Sequence, residues 1–159
     1  MSREEFNTFV TQQQEPLRRF LLNVCGGDSY IADEIAEEAF VRAYLNLNSF
    51  RGGCKMSTWL FRIAYNCFYD SVRKRGREVE LGAARDIASE DLVQCNERQE
   101  ELHSALKQLT APQRDVILLF YMEDKQIREI SQITGMNENT VKSHLRRAKQ
   151  TMKTYLTNL

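Results

Sequence analysis

The sequence is poor in residues that interrupt helices or build catalytic and metal sites. Its 159 residues include 2 prolines, 7 glycines and 2 histidines. No apolar run approaches the roughly 20 residues that a membrane-spanning helix needs, and the N-terminus, MSREEFNTFV, has no signal-peptide pattern. Alternation of apolar and polar residues, the sign of β-strands, is almost absent. We therefore expect a cytoplasmic, all-α protein.

Features of catalytic and redox proteins are also missing. The 4 cysteines are scattered and form no CxxC pair, so they are expected to be small core residues and not a disulfide framework. Neither histidine stands at a metal-ligand spacing. The sequence contains no glycine-rich phosphate loop and no GxSxG elbow. We expect no enzymatic activity, no cofactor, no metal and no small-molecule substrate.

The charge of the chain is balanced in total and uneven along its length. The net charge is zero, because 22 basic side chains match 22 acidic ones. Residues 51–77 carry seven basic and one acidic side chain, and residues 125–159 carry seven and two. Residues 1–50 carry four basic and eight acidic side chains, and residues 78–101 carry two and eight. The two basic blocks predict contacts with nucleic acid, whereas the neutral total read alone argues against a nucleic-acid binder.

Apolar residues at helical spacing indicate two small helical domains joined by an acidic linker. The first domain is expected at residues 1–77, the linker at 78–97 and the second domain at 98–159. Within the first domain, the third helix is expected to follow a cap formed by Ser57 or Thr58.

The second domain contains the pattern of a helix-turn-helix. Thr110-Ala-Pro-Gln113 predicts a capping box. In the segment KQIREISQITGMNENTVKSHLRRAK, Gly135 can adopt the left-handed conformation of a tight turn, and Asn137 can cap the next helix. That helix places Val141, Leu145, Ala148 and Met152 on its inner face. Its outward side chains, which predict contacts in the DNA major groove, are Asn139, Lys142, Ser143, Arg146 and Arg147. His144 lies toward the back of the helix, where surface packing and DNA contact both remain open.

A second candidate nucleic-acid surface lies on the third helix. Four side chains share a narrow polar face: Arg62, Asn66, Tyr69 and Arg73. Cations neutralise phosphates, an amide reads a base edge, and aromatic rings stack on unpaired bases. The alternative is a solvated basic face with aromatic residues at the margin of the core.

The preceding helix carries an apolar pair among acidic residues. Val41 and Leu45 lie on the side that bears Glu34 and Glu38, away from the main apolar face. An exposed pair of this kind predicts a protein partner. Packing against the first helix is the competing interpretation.

These segments together resemble a known family. The order ADEIAEEAFVRAY, then SFRGGCKMSTWLFRIAYN, then an acidic linker and the helix-turn-helix, resembles a bacterial RNA polymerase sigma factor. It is similar to the extracytoplasmic-function type of the sigma-70 family (group IV), which has only regions 2 and 4. The resemblance covers roughly residues 6–77 and 98–156. It implies a factor that binds core RNA polymerase and directs promoter-specific initiation, with an anti-sigma factor, commonly membrane-bound, as an inhibitory partner.

The resemblance also implies roles for individual residues. The positions that match the family's docking site for core polymerase are Asp33, Glu34, Glu37, Glu38 and Val41. The positions that match the family's site for the melted −10 strand are Phe50, the loop from Arg51 through Lys55 to Met56, Ile63 and Asn66. The positions that match the family's −35 DNA-reading site are Asn139, Thr140, Lys142, Ser143, His144, Arg146 and Arg147. Trp59 matches a family aromatic residue, for which we expect a structural role. Lys142 and His144 stand where many relatives carry Arg. Because Lys lacks the fork that pairs with guanine, the −35 preference is expected to differ.

Two other classes of protein share parts of these patterns. A stand-alone helix-turn-helix regulator would bind duplex DNA tightly by itself and would not need the polar face around Asn66. A helical adaptor, similar to an anti-sigma factor, would bind polymerase or a sigma factor without DNA.

Overall fold

The computed structural model describes residues 2–80 and 97–158, and every regular element in these two ranges is helical. Seven α-helices and one short 3₁₀ helix follow in order: α1 (Arg3–Val24), α2 (Ser29–Leu45), the 3₁₀ helix (Leu47–Ser49), α3 (Met56–Glu80), α4 (Glu97–Leu106), α5 (Ala111–Tyr121), α6 (Ile127–Thr134) and α7 (Glu138–Thr157). The all-α prediction is confirmed. Within the described ranges, no helix combines the length and apolar character needed to cross a bilayer.

Helices α1 to α3 form the first domain around an aromatic centre. The rings of Phe20 and Phe61 lie 5.7 Å apart between centroids, and both side chains are almost fully buried. Small residues on α2 allow the helices to approach closely: Ala32, Ala36, Ala39 and Ala43. The predicted linker begins within α3, which continues to Glu80, and residues 81–96, including Cys95, lie outside the described residues.

The expected cap of α3 is wrong. The helix begins at Met56, so Ser57 and Thr58 both lie inside its first turn. Thr58 is buried, and its hydroxyl donates to Glu129 Oε2 on α6 at 3.1 Å. A partner 71 residues away therefore determines the position of this side chain, which a local capping rule cannot detect.

The turn signals of the second domain are confirmed. The backbone N–H of Gln113 donates to Thr110 Oγ1, and its side chain accepts from the Thr110 N–H. Gly135 ends α6 with φ +79°, in the left-handed region. Asn137 Oδ1 accepts from the Thr140 N–H at 2.8 Å. The Thr110–Gln113 box caps the start of α5, whereas Gly135 and Asn137 set the direction in which α7 leaves the turn.

The cysteines behave as packing residues in the described part of the chain. Cys25, Cys54 and Cys67 are free, and Cys67 is buried. Desolvation raises the pKa of the Cys25 thiol to about 12 and that of Cys67 to about 11. Both thiols are therefore protonated and unreactive at neutral pH.

The two domains pack against each other. Helix α3 contacts α6, and α1 contacts α5. Arg19 on α1 forms an ion pair with Glu123, which follows α5, at 2.8 Å. The second domain thus lies beside α3, the helix that carries one of the two predicted nucleic-acid surfaces.

Candidate nucleic-acid interface

Helix α7 presents a polar and cationic face above a buried one. Val141, Leu145 and Ala148 are buried, as predicted, and hold the helix against its neighbours. The Ser131 hydroxyl donates to the Met136 carbonyl at 2.6 Å and fixes the turn before α7. The exposed predicted residues are Asn139, Lys142, Arg146 and Arg147. Among the described residues, none of these three cations forms an ion pair, so each can neutralise a phosphate.

The other predicted residues of α7 are less accessible. Thr140, Ser143 and His144 are partly buried. Within residues 2–80 and 97–158, the buried Nδ1 atom of His144 meets no hydrogen-bond partner. This location favours packing over DNA contact for the imidazole, whereas the Thr140 backbone serves the helix cap. Their roles in DNA binding stay predictions.

The predicted polar face of α3 borders a groove of about 520 Å³ between α2 and α3. The groove is lined by Arg42, Tyr65, Asn66, Tyr69, Asp70 and Arg73. Asp70 holds two of these cations, since its carboxylate pairs with Arg42 at 3.3 Å and with Arg73. Arg62, Asn66 and Arg73 are exposed, as their helical positions predict. The groove therefore combines guanidinium groups, an amide and tyrosine rings.

Sequence reasoning missed Arg42 and Asp70 as lining residues of this groove. Arg42 lies on α2, four residues after Glu38, and also pairs with Glu38 at 2.7 Å. The i,i+4 spacing marks a helical surface pair. Only the packing of α2 on α3 brings Arg42 to Asp70, 28 residues away.

The loop before α3 is organised by aromatic contact. The Phe50 and Trp59 rings lie 5.2 Å apart between centroids, so Trp59 supports the start of the loop, in keeping with the expected structural role. Arg51 and Lys55 are exposed on this loop, and Ile63 is partly buried. The loop thus offers two cations next to a fixed aromatic pair.

Tyr65 and Tyr69 connect the groove to the second domain. Their rings lie 4.8 Å apart between centroids, and the Tyr69 hydroxyl donates to the buried carboxylate of Asp115 on α5. Burial raises the pKa of Asp115 to about 6, although the Tyr69 hydrogen bond acts in the opposite direction. Burial also raises the pKa of Tyr65 to about 12. Tyr69 is therefore directed toward the second domain, and its predicted contact with a −10 strand stays a prediction.

The acidic side of α2 is open to solvent. Glu34, Glu37 and Val41 are exposed, and Val41 and Leu45 have exposed fractions of 56% and 73%. Packing of this pair against α1, the competing interpretation, is wrong. The neighbouring Tyr44 contacts α1 instead, with its ring 5.4 Å from that of Phe6.

Two predicted docking residues on α2 carry partners. Asp33 Oδ1 accepts from Arg18 at 2.6 Å, and Glu38 pairs with Arg42. All four side chains are substantially exposed. Among the described residues, no group of histidine, cysteine or carboxylate side chains is arranged to hold a metal ion.

Comparison with known proteins identifies both domains. Residues 9–78 match the model of Sigma-70 region 2, and residues 99–152 match that of Sigma-70, region 4. The chain is 32% identical over 148 residues to the ECF RNA polymerase sigma factor SigW of Bacillus subtilis, an alignment that covers 84% of this chain and 79% of SigW. It is also 32% identical over 140 residues to SigM of the same organism, with 85% of each chain covered.

Solved structures share the whole fold. The sigma factor RpoE of Bartonella quintana, in complex with the anti-sigma factor NepR, superposes with a TM-score of 0.83 at 26% identity, covering 97% of this chain and 98% of RpoE. CnrH, in complex with the cytosolic domain of CnrY, superposes with a TM-score of 0.77 at 21% identity, covering 99% of this chain and 90% of CnrH. This comparison shows a likeness of fold alone. With regions 2 and 4 matched and relatives aligned over most of their length, this chain belongs to the extracytoplasmic-function RNA polymerase sigma factors.

Proposed function

We propose that this chain directs initiation by reading duplex −35 DNA with α7 and capturing the melted −10 strand with α3, while core polymerase performs the chemistry. The observation that carries the proposal is one chain with two separate donor-rich surfaces, the face of α7 and the groove beside α3. A regulator that only bound duplex DNA would need the first surface alone.

Helix α7 suits the major groove because Asn137 caps its start, Gly135 shapes the turn before it, and its outward side chains are mostly donors. Residues near the N-terminus of a recognition helix approach base edges, which assigns base reading to Asn139 and Lys142. Arg146 and Arg147, one turn further along, are in position to neutralise phosphates. Lys142 presents one ammonium group and not a planar fork, so it discriminates less strongly for guanine.

The groove beside α3 suits an unpaired strand. Unstacking a base costs a few kcal/mol, and stacking on an aromatic ring returns about 1–3 kcal/mol per base. Tyr65 supplies a ring, and the Asn66 amide can read a base edge. The Phe50–Trp59 pair and the exposed Arg51 and Lys55 extend this surface toward the loop.

Docking on core polymerase is assigned to α2. Val41 offers exposed apolar area, and the acidic residues around it offer charge: Asp33, Glu34, Glu37 and Glu38. The Asp33–Arg18 and Glu38–Arg42 pairs are exposed, and such pairs contribute only about 0–1 kcal/mol. Replacing the arginine of each pair by a basic group of polymerase therefore costs little free energy.

An anti-sigma factor is the further partner that we propose. RpoE was solved in complex with the anti-sigma factor NepR, and CnrH was solved in complex with the cytosolic domain of CnrY. The fold of this chain matches both over nearly its full length. A pull-down with the tagged chain from its own cells, compared with a variant carrying Val41→Glu and Leu45→Glu, would identify such a partner and test whether it shares the α2 surface.

The central experiment is transcription of genomic DNA from the source organism by purified core polymerase, with and without this chain, followed by sequencing of RNA 5′ ends. We expect chain-dependent 5′ ends that share upstream motifs. Asn66→Ala should reduce open-complex formation, and Arg146→Glu should reduce initial promoter binding. Asn7→Ala, on the exposed face of α1, and Lys153→Glu, at the far end of α7, are matched controls.

Each competing class makes a different forecast in the same assay. A stand-alone regulator would shift duplex fragments tightly without polymerase and produce no new 5′ ends. An adaptor would bind polymerase yet tolerate Arg146→Glu. Absence of chain-dependent 5′ ends together with no co-elution with core polymerase would contradict the proposed function.

A further inference from the structure

A carboxylate lies among the cations of the groove between α2 and α3. Asp70 Oδ2 accepts from Arg42 Nη1 at 3.3 Å, and Asp70 Oδ1 pairs with Arg73, three residues further along α3. Arg42 Nη2 also donates to Glu38 at 2.7 Å. Both guanidinium groups that line the groove are therefore engaged by carboxylates, which repel phosphate and occupy the donors that would bind it.

The cations of α7 are arranged differently. Lys142, Arg146 and Arg147 are exposed, and none of them takes part in an ion pair among the described residues. Arg62, on the first half of α3, is likewise exposed and outside these pairs. An unpaired cation binds the backbone of any DNA, whereas a paired guanidinium group binds phosphate only after it leaves its carboxylate.

The remaining groups of the groove are suited to bases. Asn66 is exposed one turn before Asp70, and its amide both donates and accepts hydrogen bonds. Tyr65 and Tyr69 supply rings that lie 4.8 Å apart between centroids, and such rings stack on unpaired bases. The lining residues all belong to α2 and α3, and the groove is open. A strand can therefore reach these groups in the free chain.

We propose that Asp70 is a specificity-determining residue of the groove: by pairing with Arg42 and Arg73, it withholds their guanidinium groups from phosphates, so that a strand is held through its bases. The proposal rests on the proposed function in one respect, since it requires an unpaired strand to occupy the groove. Duplex DNA offers the groove only phosphates, because its bases are paired and stacked. Asp70 weakens that contact and so favours a melted strand over duplex.

The test compares two fluorescent single strands of equal length, one of mixed sequence and one that is abasic, with the same phosphates and no nucleobases. Anisotropy of the full chain measures both affinities over a range of salt concentrations. Asp70→Asn removes the charge with little change in shape. We expect it to tighten binding of the abasic strand by about tenfold at low salt, and to steepen the salt dependence by about 0.7 for each new phosphate contact. The wild-type preference for the mixed strand should fall, because backbone binding no longer needs bases.

Two single variants serve as controls. Glu101→Gln makes the same charge change on α4, where the exposed Glu101 takes part in no ion pair of the described residues. It should leave the preference for the mixed strand unchanged, since it alters only the total charge. Asp70→Glu keeps the carboxylate and should also retain the wild-type preference. Circular dichroism checks that each variant keeps the helical content of the wild type.

Double variants rank the two arginines. In Asp70→Asn, Arg42 keeps its pair with Glu38, whereas Arg73 loses the one ion pair that it forms among the described residues. Adding Arg73→Gln to Asp70→Asn should therefore remove most of the gain on the abasic strand. Adding Arg42→Gln should remove less of it.

Several results would overturn the role of Asp70. Equal abasic affinity and equal salt dependence for Asp70→Asn and Glu101→Gln would do so, as would a gain that survives replacement of both arginines. A wild type that binds the two strands equally well would also contradict the proposal, and this comparison needs no variant to fold. Failure of the proposed function looks different: no chain-dependent RNA 5′ ends would appear, while the abasic comparison, which needs no polymerase, would still separate Asp70→Asn from Glu101→Gln.

Discussion

The Tyr69 hydroxyl on α3 donates its hydrogen bond to the buried carboxylate of Asp115 on α5. One side chain of the predicted −10 face is thereby also a contact between regions 2 and 4. The Tyr69 hydroxyl is engaged in this contact while the Tyr69 side chain also lines the groove beside α3. A link of this kind couples the arrangement of the domains to any ligand that uses the groove, because both involve one side chain.

Asp115 makes the contact between the two domains dependent on pH. Burial raises its pKa to about 6, against an ordinary value of about 3.9 for a solvated aspartate. A form in which Asp115 is buried at the domain contact thus binds the proton more tightly than a form in which this side chain is solvated. The stabilising contribution of the protonated group is present at low pH and is lost as the pH rises through about 6. Hydroxyl-radical footprinting, which measures the oxidation rate of Tyr69, reports this contact. In the wild type we expect slower oxidation of Tyr69 at pH 5 than at pH 7.5. In Asp115→Asn the difference between the two pH values should be smaller.

The groups around Asp115 and the interface set the controls for this experiment. Tyr69, Tyr65 and Arg114 act directly on the carboxyl group. His103, which contacts Asn23, has a pKa lowered by burial, so its contribution is lost as the pH falls and opposes that of Asp115. His103→Gln should therefore be added both to the wild type and to Asp115→Asn. In the wild-type background it should make the oxidation rate of Tyr69 change more steeply with pH. An identical pH dependence with and without Asp115→Asn would rule out a role for this carboxyl group.

Arg19 and Arg18 should differ in their contribution to stability. Arg19→Ala leaves the buried Glu123 carboxylate without its main partner, a loss expected to lower the free energy of unfolding by about 1–3 kcal/mol. Arg18→Ala removes an exposed pair with Asp33, which contributes about 0–1 kcal/mol. Urea titration followed by circular dichroism measures both. Equal losses would mean that Glu123 is readily hydrated in the folded protein.

Local signals in the sequence predicted the second domain well. Gly135, Asn137 and the Thr110–Gln113 box were each identified from residue type and spacing, and each adopts the predicted geometry. Helix caps and turns depend on atoms within a few residues, so sequence reasoning captures them. The buried face of α7 followed from its period for the same reason.

Contacts between distant segments were not predictable in this way. Thr58 looked like a helix cap and is an interdomain donor, because its partner Glu129 lies 71 residues further along the chain. Nothing in the spacing of Arg19 and Glu123 along the sequence indicates that these two residues form a pair. Arg42 joined the groove only through the packing of α2 on α3. Single-sequence patterns describe one helix at a time and do not contain the docking of one domain on another.

The turn before α7 can be tested at Gly135. Its φ of +79° lies in the left-handed region, and a Cβ added there would meet no atom within 4 Å. Gly135→Ala therefore introduces backbone strain without a clash, at a cost of about 1–2 kcal/mol. Gly53→Ala, also in open space but without a positive φ, should leave thermal stability nearly unchanged. Equal melting temperatures for both variants would show that the turn adapts.

Lys142 provides the last test, because it is an exposed cation in the second turn of α7. A guanidinium fork in the major groove can bind guanine O6 and N7 together, and a good bidentate pair contributes about 1–3 kcal/mol of discrimination. Lys142→Arg should thus enrich guanine at one position of the −35 motif when polymerase carrying the variant selects promoters from a randomised library. Lys153→Arg changes the same functional group at the far end of the helix and should select the wild-type motif. An unchanged motif for Lys142→Arg would place this side chain on the phosphate backbone, where a fork and a point charge bind alike.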